Sequence, residues 1–281
     1  MGSPDDSEAT GTFWDHLDAL RGCLLKAAVV VALCGLAAFF FKDALFRIVL
    51  APKDAGFCTY RLLGWLGREW GVSGMVPGDF SVRLINTGLA EQFVIHMKVS
   101  LYAGLLCASP YVIYLLFRFV SPALYDNERR YAVRTVGAGY VMFLLGTALN
   151  YFLIFPLTFR FLGTYQVSAE VENTVTLQSY MDTLLMMSLT LGIVFEIPVL
   201  CWLLARFGVL TSSFMRRFRR HAVVVVLVAA AVITPTSDVF TLLLVAFPMW
   251  LLYEAGIWVV AATEKGKGRA SRAAEAGGDA G

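Results

Sequence analysis

The sequence predicts an all-α, polytopic membrane protein with six transmembrane helices. Hydrophobic residues make up 58% of its 281 residues, charged residues only 16%, and the mean hydropathy is +0.68. A soluble domain is nearer half apolar and a quarter charged, so this composition would leave large apolar patches in water. Several apolar runs also reach the roughly 20 residues that a helix needs to cross a bilayer.

Six apolar stretches are predicted to span the membrane, at a rise of 1.5 Å per helical residue. They are residues 24–41, 93–117, 133–155, 183–205, 221–234 and 239–262. The fifth is short and ends at Thr234-Pro235, because proline cannot continue a helix, so it would thin the bilayer locally or lean on neighbouring helices. The membrane domain is predicted to end at residue 262. Residues 263–281, rich in Gly, Ala and alternating charge, are predicted to form a disordered cytoplasmic tail.

A short amphipathic helix is predicted over residues 12–23, ahead of the first span. Thr12 and Asp15 have the spacing of a capping box, and apolar residues at 13, 17, 20 and 24 recur on one helical face. Such a helix lies on the membrane surface with its charged residues toward the cytoplasm. Taken alone, this segment is best explained as a simple interfacial anchor.

The loop charges predict that both termini are cytoplasmic, since lysine and arginine are retained on that side. Fifteen of these residues fall in the N-terminal segment, the second and fourth loops and the tail, against seven in the first and third loops. The first span is retained as an anchor, because the acidic segment before it does not resemble a signal peptide.

Several classes of function are excluded by the residues present. The five cysteines contain no CxxC pair and the three histidines form no HExxH pattern, so no metal site or cofactor is predicted. A net charge of +2 without a basic cluster typical of nucleic-acid binding predicts no nucleic-acid partner. The GxSG pattern at 71–74 lies in a polar loop, so no nucleophile and base pair supports an enzyme.

The loop at residues 119–130 carries a candidate binding carboxylate. Ser121 and Pro122 are suitable N-cap and N1 residues, so this loop should open a helix. Glu128 would then be held rigidly at the membrane edge, where a carboxylate can accept paired hydrogen bonds from a guanidinium group. An intrahelical pair between Glu128 and the neighbouring arginines remains the alternative.

Glu196 is a carboxyl inside the fourth predicted span, where a charge costs roughly 2.5 to 3.5 kcal/mol on insertion scales. Pro198 follows it and should kink the helix, which suggests a polar indentation in the protein face. A protonated Glu196 that bridges two helices is the alternative. Asp238 is placed as a helix N-cap, and Pro52 most simply marks a turn.

These residues alone leave two functions open. One is a non-catalytic receptor that presents carboxylates at the cytoplasmic edge of the membrane. The other is a proton-coupled secondary transporter that uses Glu196 and Asp238. The lack of an internal repeat counts against transporter folds built from duplicated halves, and the informative acids at the membrane edge favour recognition of a peptide.

The sequence resembles the TatC family, the multi-spanning core of the twin-arginine protein translocase, from about residue 13 to 260. The resemblance rests on separated motifs in the family's order, and each falls on the expected side of the six spans. They are His16-Leu-Asp-Ala-Leu-Arg21, Ala51-Pro52, Phe119-Val-Ser-Pro-Ala-Leu-Tyr-Asp-Asn-Glu-Arg-Arg130, Phe195-Glu-Ile-Pro198 and Thr234-Pro-Thr-Ser-Asp238.

The resemblance implies a concave bundle in the bacterial cytoplasmic (inner) membrane that receives twin-arginine signal peptides of folded precursors on the cytoplasmic face. It also implies recruitment of single-span TatA/TatB-type subunits, export driven by the proton-motive force, and a homo-oligomer within the translocon. By position, Glu128 would face the arginine pair of the signal. The residues that shape its site would be Arg21, Asp18, Phe119, Pro122, Leu124, Tyr125 and Arg129.

The resemblance further implies that Glu196 and Pro198 form an intramembrane polar site that contacts the inserted signal or a partner helix. Pro52 and Asp238 match family positions on the outer side. The sequence departs from the family at Ala19, where the family has Glu. Our hypothesis is that Asp18, or Asp15 one turn earlier, replaces that carboxylate.

Overall fold

The computed structural model describes residues 5–69, 82–120, 129–166, 168, 174–235 and 238–278, and it describes their side chains outside 5–13, 15–16, 120, 129–134 and 267–278. This part of the chain is almost entirely helical. The helices are α1 (Asp5–Phe39), α2 (Lys42–Leu50), α3 (Cys58–Glu69), α4 (Glu91–Val120), α5 (Arg129–Leu149), α6 (Phe155–Thr164), α7 (Leu177–Val194), α8 (Ile197–Arg206), α9 (Ser212–Arg217), α10 (Arg219–Ile233) and α11 (Val239–Gly278). A 3₁₀ turn covers Ala51–Lys53 and a π-helix covers Asn150–Ile154.

The observed helices match the all-α, six-span prediction. Five stretches of the described chain are long and apolar enough to cross a membrane, and the 15-residue α10 supplies the sixth. The five are Leu17–Phe39, Glu91–Phe119, Thr135–Thr164, Leu177–Arg206 and Val239–Gly266. Helix α10 ends at Ile233, directly before Thr234-Pro235, as the proline predicts.

The N-terminal region differs from the predicted separate helix at 12–23. Helix α1 runs without a break from Asp5 to Phe39, so the amphipathic segment and the first span form one continuous helix. No proline interrupts it, and the acidic residues near its start are favoured by the helix dipole. The capping-box spacing at Thr12 therefore lies inside a helix that has already begun.

The C-terminal region differs from the predicted disordered tail. Helix α11 continues past the predicted boundary at residue 262 as far as Gly278. Ala, Lys, Arg and Glu dominate this extension, and these residues have high helix propensity. Adding residues to an existing helix also avoids the cost of nucleation, which composition alone does not reveal.

Backbone contacts divide the chain into two compact units, and the first comprises Met1–Val49 and Gly88–Val141. Its described centre is an antiparallel pair, α1 and α4. At one end the Cys23 thiol lies 4.0 Å from the Leu115 carbonyl, and at the other His96 Nε2 lies 3.1 Å from the Phe39 carbonyl. Between them a Cβ placed on Gly104 would come within 2.3 Å of the Gly35 nitrogen, so this close approach requires glycine.

The second unit comprises Leu50–Thr87 and Met142–Gly281. A buried apolar cluster joins the π-helix to α7, α10 and α11, and its members are Ile154, Met187, Leu191, Ala230, Ile233, Val245, Ala246 and Met249. A smaller cluster joins α8, α9 and α11. Two connecting segments each contain a two-residue strand, β1 (Leu84–Ile85) and β2 (Val175–Thr176). These two strands pair in parallel.

Candidate functional site

The α1–α4 pair positions the first group of predicted site residues. Because Cys23 lies beside Leu115, the earlier turns of α1 and the later turns of α4 lie at the same end of the first unit. Asp18 and Arg21 are exposed there on α1, and Phe119 is half-buried near the end of α4. The geometry therefore brings the segment at residues 16–21 and the start of the 119–130 loop to one end.

Four predicted site residues, Pro122, Leu124, Tyr125 and Glu128, lie outside the described residues. Arg129 is described in its backbone alone, as the first residue of α5. The predicted helix start at Ser121-Pro122 and the role of Glu128 therefore stay predictions. What the structure does give is the two flanking ends of this loop, the last turn of α4 and the first turn of α5.

The second group centres on Glu196, and here the predicted break in the helix is present. Helix α7 ends at Val194, Phe195 and Glu196 form a turn, and α8 starts at Ile197 with Pro198 in its first turn. The Glu196 N–H donates to the Ile193 carbonyl at 3.0 Å, an i to i−3 bond that tightens the chain before the proline. The α-helix is therefore interrupted two residues before Pro198, at the place where the kink is predicted.

The Glu196 carboxyl is partly buried within this turn. Its Oε1 atom is inaccessible to solvent and makes no hydrogen bond with any described residue. A buried polar atom without a partner costs free energy, about 1–3 kcal/mol, that a hydrogen bond would recover. The Glu196 side chain as a whole is only partly buried, so a polar group from outside the chain can reach the carboxyl once rotation of the carboxyl turns this oxygen outward.

Two other predicted positions are explained by local structure. Asp238 is an N-cap of α11, since its Oδ1 accepts from the Thr241 N–H at 2.6 Å. Pro52 is buried in the 3₁₀ turn, and its carbonyl accepts from the Tyr60 hydroxyl at 3.1 Å. The same hydroxyl lies 2.9 Å from the Pro156 carbonyl, so Tyr60 ties the first loop to the start of α6.

Glu254 is a second membrane carboxyl, which sequence reasoning missed. It lies within the last apolar stretch, Val239–Gly266, and its Oε2 accepts from Arg219 at 2.6 Å. An acid inside the predicted span 239–262 was the signal that could have found it. Ten residues later on α11, Glu264 accepts from both the backbone N–H and the hydroxyl of Ser212 at the start of α9. These contacts fix the connection between α8 and α10 onto α11.

Asn150 is a buried amide that sequence reasoning also missed. It begins the π-helix, is fully buried, and donates to the Ser188 hydroxyl at 2.7 Å. Its Oδ1 makes no hydrogen bond with any described residue. A side-chain amide in an apolar stretch was the available signal, and its contact with α7 explains its burial.

Comparisons with known proteins place this chain in a family. The model of the TatC family, described as Sec-independent protein translocase protein, matches residues 15–248. A Sec-independent protein translocase protein TatC of Desulforapulum autotrophicum is 31% identical over 250 residues, which cover 89% of this chain and 84% of the relative. The protein of the same name from Koribacter versatilis is 35% identical over 248 residues, covering 88% of this chain and 84% of the relative.

A solved structure agrees with these relatives. The crystal structure of a twin-arginine translocase receptor, TatC, superposes with a TM-score of 0.70 at 28% identity and covers 89% of this chain and 99% of its own. The match includes both compact units, and the helical membrane architecture is shared. The chain therefore belongs to the TatC family of protein translocase components.

Proposed function

We propose that this protein is the core receptor subunit of a twin-arginine translocase, and that it binds twin-arginine signal peptides of folded precursors. The observation that carries the proposal is the α1–α4 pair. It holds exposed Asp18 and Arg21 at the same end as Phe119, from which the loop with Glu128 begins. Two helices therefore support the two segments whose carboxylates would meet an arginine pair.

Charge complementarity gives the proposed site its selectivity. A guanidinium group donates two parallel hydrogen bonds to a carboxylate, whereas lysine offers a point charge, so paired arginines need paired carboxylates. Glu128 would supply one and Asp18, or Asp15, the other in place of the family Glu lost at Ala19. The remaining residues that would shape the site are Arg21, Phe119, Pro122, Leu124, Tyr125 and Arg129.

This function requires both termini in the cytoplasm of a bacterium and the protein in its inner membrane. The excess of Lys and Arg in the N-terminal segment, the even-numbered loops and the tail supports that orientation. A fluorescent protein that fails to mature after unfolded export, fused after residue 281, should fluoresce. Loss of fluorescence together with activity of an alkaline phosphatase fusion at the same point would contradict it.

Glu196 would act separately, as the membrane contact for the inserted signal or for a TatA/TatB-type single-span subunit. Its support is the buried Oε1 without a hydrogen bond in the described chain, next to the helix break at Pro198. A polar group on a partner helix would hydrogen-bond to this oxygen once rotation of the carboxyl exposes it. Export would then draw on the proton-motive force and on further copies of this subunit within the translocon.

The test is photocrosslinking in native membranes, with a photoreactive residue beside the arginine pair of a precursor. The crosslink should disappear when both arginines become lysines and when Glu128 is replaced by Gln, and should weaken for Asp18→Asn. The matched control is Glu69→Gln, an exposed glutamate of α3, which should leave the crosslink intact. A crosslink that persists with Glu128→Gln and with the lysine pair would contradict the proposal.

The alternative of a proton-coupled secondary transporter rests on Glu196 and Asp238. The N-cap bond of Asp238 to Thr241 accounts for that residue without proton transfer. Proton flux into vesicles that contain only this protein, lost on Glu196→Gln, would favour the transporter over the receptor.

A further inference from the structure

Helix α3 in the first loop is attached to the third apolar stretch, Thr135–Thr164, at a depth that the contacts define. The Thr59 hydroxyl donates to the Phe152 carbonyl, and the Tyr60 hydroxyl lies 2.9 Å from the Pro156 carbonyl. The Phe57 ring, one residue before α3, stacks on the Phe152 ring with centroids 6.0 Å apart and planes 10° apart. The start of α3 is therefore fixed beside residues 152–156.

The helix length places those residues on the hydrocarbon side of the boundary with the lipid headgroups, within about 10 Å of it. A stretch of 30 residues spans about 45 Å, against a hydrocarbon core of about 30 Å. If the excess is shared between both ends, the boundary falls about five residues before Thr164. Pro156 is eight residues before that end and so lies about 5 Å inside the boundary, which places the start of α3 at the level of the upper acyl chains.

The outward surface of α3 has the composition of an interfacial helix. Its inner side is buried at Thr59, Tyr60, Gly64 and Gly67. Leu62 and Trp65 are 57% and 56% exposed, and they are neighbours on one face because they are three residues apart. Tryptophan is enriched at membrane interfaces, where one edge of the ring is apolar and the other is hydrated.

Two arginines lie beside this apolar face, both on the same side of it. Arg61 and Arg68 are both exposed, and they share a face because seven residues make about two turns. That face is about 50° round the helix from Trp65. The Nε of Arg61 donates to the Gly56 carbonyl at 2.7 Å, so Arg68 is the cation placed to reach outward. An arginine in this position can extend along apolar surface toward lipid phosphates.

We propose that α3 is a lipid anchor, with Leu62 and Trp65 inserted at the glycerol and upper acyl-chain level and Arg68 paired with lipid phosphates. The occupant is the phospholipid leaflet itself. The argument is continuity, because Phe152 and Leu153 on the spanning helix are 49% and 41% exposed directly beside the Phe57 contact. The apolar surface that lipid covers on the span therefore extends onto α3. The inference is independent of signal binding.

The test is the fluorescence of Trp65 in the full chain, reconstituted into phospholipid vesicles. Subtracting the spectrum of Trp65→Phe from that of the wild type isolates this residue from the other five tryptophans. Nitroxide lipids labelled near the headgroup should quench the isolated signal about twofold more than lipids labelled near the acyl-chain end. The matched control is Trp250, 41% exposed and near the middle of Val239–Gly266, which should show the opposite order.

The outcomes separate lipid from other occupants. If neither nitroxide quenches Trp65 while both quench Trp250, then water or protein covers α3 and the proposal is overturned. Stronger quenching of Trp65 by the deep label would overturn the proposed depth. In vesicles with anionic lipid, Arg68→Glu should reduce quenching of Trp65 by the shallow label. Unchanged quenching would show that Arg68 does not contribute to the binding of α3 to lipid.

Discussion

Replacing Tyr60 by phenylalanine should loosen the attachment of α3 while leaving the spanning helices intact. Tyr60 is fully buried, and its hydroxyl lies 3.1 Å from the Pro52 carbonyl and 2.9 Å from the Pro156 carbonyl. A phenol has one proton to donate, so the variant leaves at least one buried carbonyl without that donor. Such a loss costs about 1–3 kcal/mol.

Hydrogen–deuterium exchange measures this loss of stability locally, in the residues that the Tyr60 hydroxyl holds in place. A local destabilisation of about 1–3 kcal/mol should raise exchange of the amides in residues 51–69 by about 5- to 150-fold. Exchange in the middle of α11 should stay unchanged. Tyr111→Phe is the matched control, because Tyr111 is 39% exposed on α4. If Tyr60→Phe accelerated exchange over 51–69 no more than Tyr111→Phe does, the hydroxyl would not hold the loop and the reasoning would fail.

Alkaline pH provides a second readout of the same contact. Burial raises the pKa of Tyr60, and the nearby Arg160 opposes this only in part. The folded-state pKa is above the unfolded value of about 10. The stability that the neutral Tyr60 hydroxyl contributes is therefore complete below about pH 10 and is lost as the pH rises beyond it. The difference in melting temperature between wild type and Tyr60→Phe should therefore shrink above pH 10. A constant difference up to pH 11.5 would contradict the burial of this group.

Two further variants test contacts within each unit. Gly104→Ala should destabilise the α1–α4 pair by about 1–3 kcal/mol, seen as a lower melting temperature, because its Cβ would lie 2.3 Å from the Gly35 nitrogen and 2.8 Å from the Val31 carbonyl oxygen. Gly137→Ala, with no atom within 4 Å of the added carbon, should not lower it, and equal effects would contradict close packing. Glu254→Gln should cost about 1 kcal/mol or less, because the glutamine amide oxygen can still accept a hydrogen bond from Arg219. A loss several times larger would mean that this pair is desolvated in the bilayer.

The sequence predicted well those features that depend on neighbouring residues. The end of α10 before Thr234-Pro235, the break at Pro198 and the N-cap at Asp238 all follow from backbone chemistry within a few positions. The same local reasoning failed at Thr12, because a capping signal counts only where a helix has not already begun. Helix α1 begins at Asp5 instead.

Contacts between distant residues were not predictable from composition or spacing. Arg219 and Glu254 are 35 residues apart, and a loop arginine gives no indication that its partner lies on the last span. Asn150 and Ser188 meet only because α5 and α7 cross closely. In the candidate site, the resemblance predicts a role for Glu128 and its neighbours, while the structure contributes the common end of α1 and α4.

The π-helix at Asn150–Ile154 makes the length of the third span matter as much as its composition. A π-turn holds one more residue than an α-turn, so the helix faces before and after it are out of phase by about 100°. Losing a single residue here would restore a regular helix and rotate the whole of α6. Phe155 would turn away from Tyr180, whose ring centroid is now 5.0 Å distant, and Pro156 would turn away from Tyr60. This segment should therefore tolerate exchanges of side chain far better than deletions.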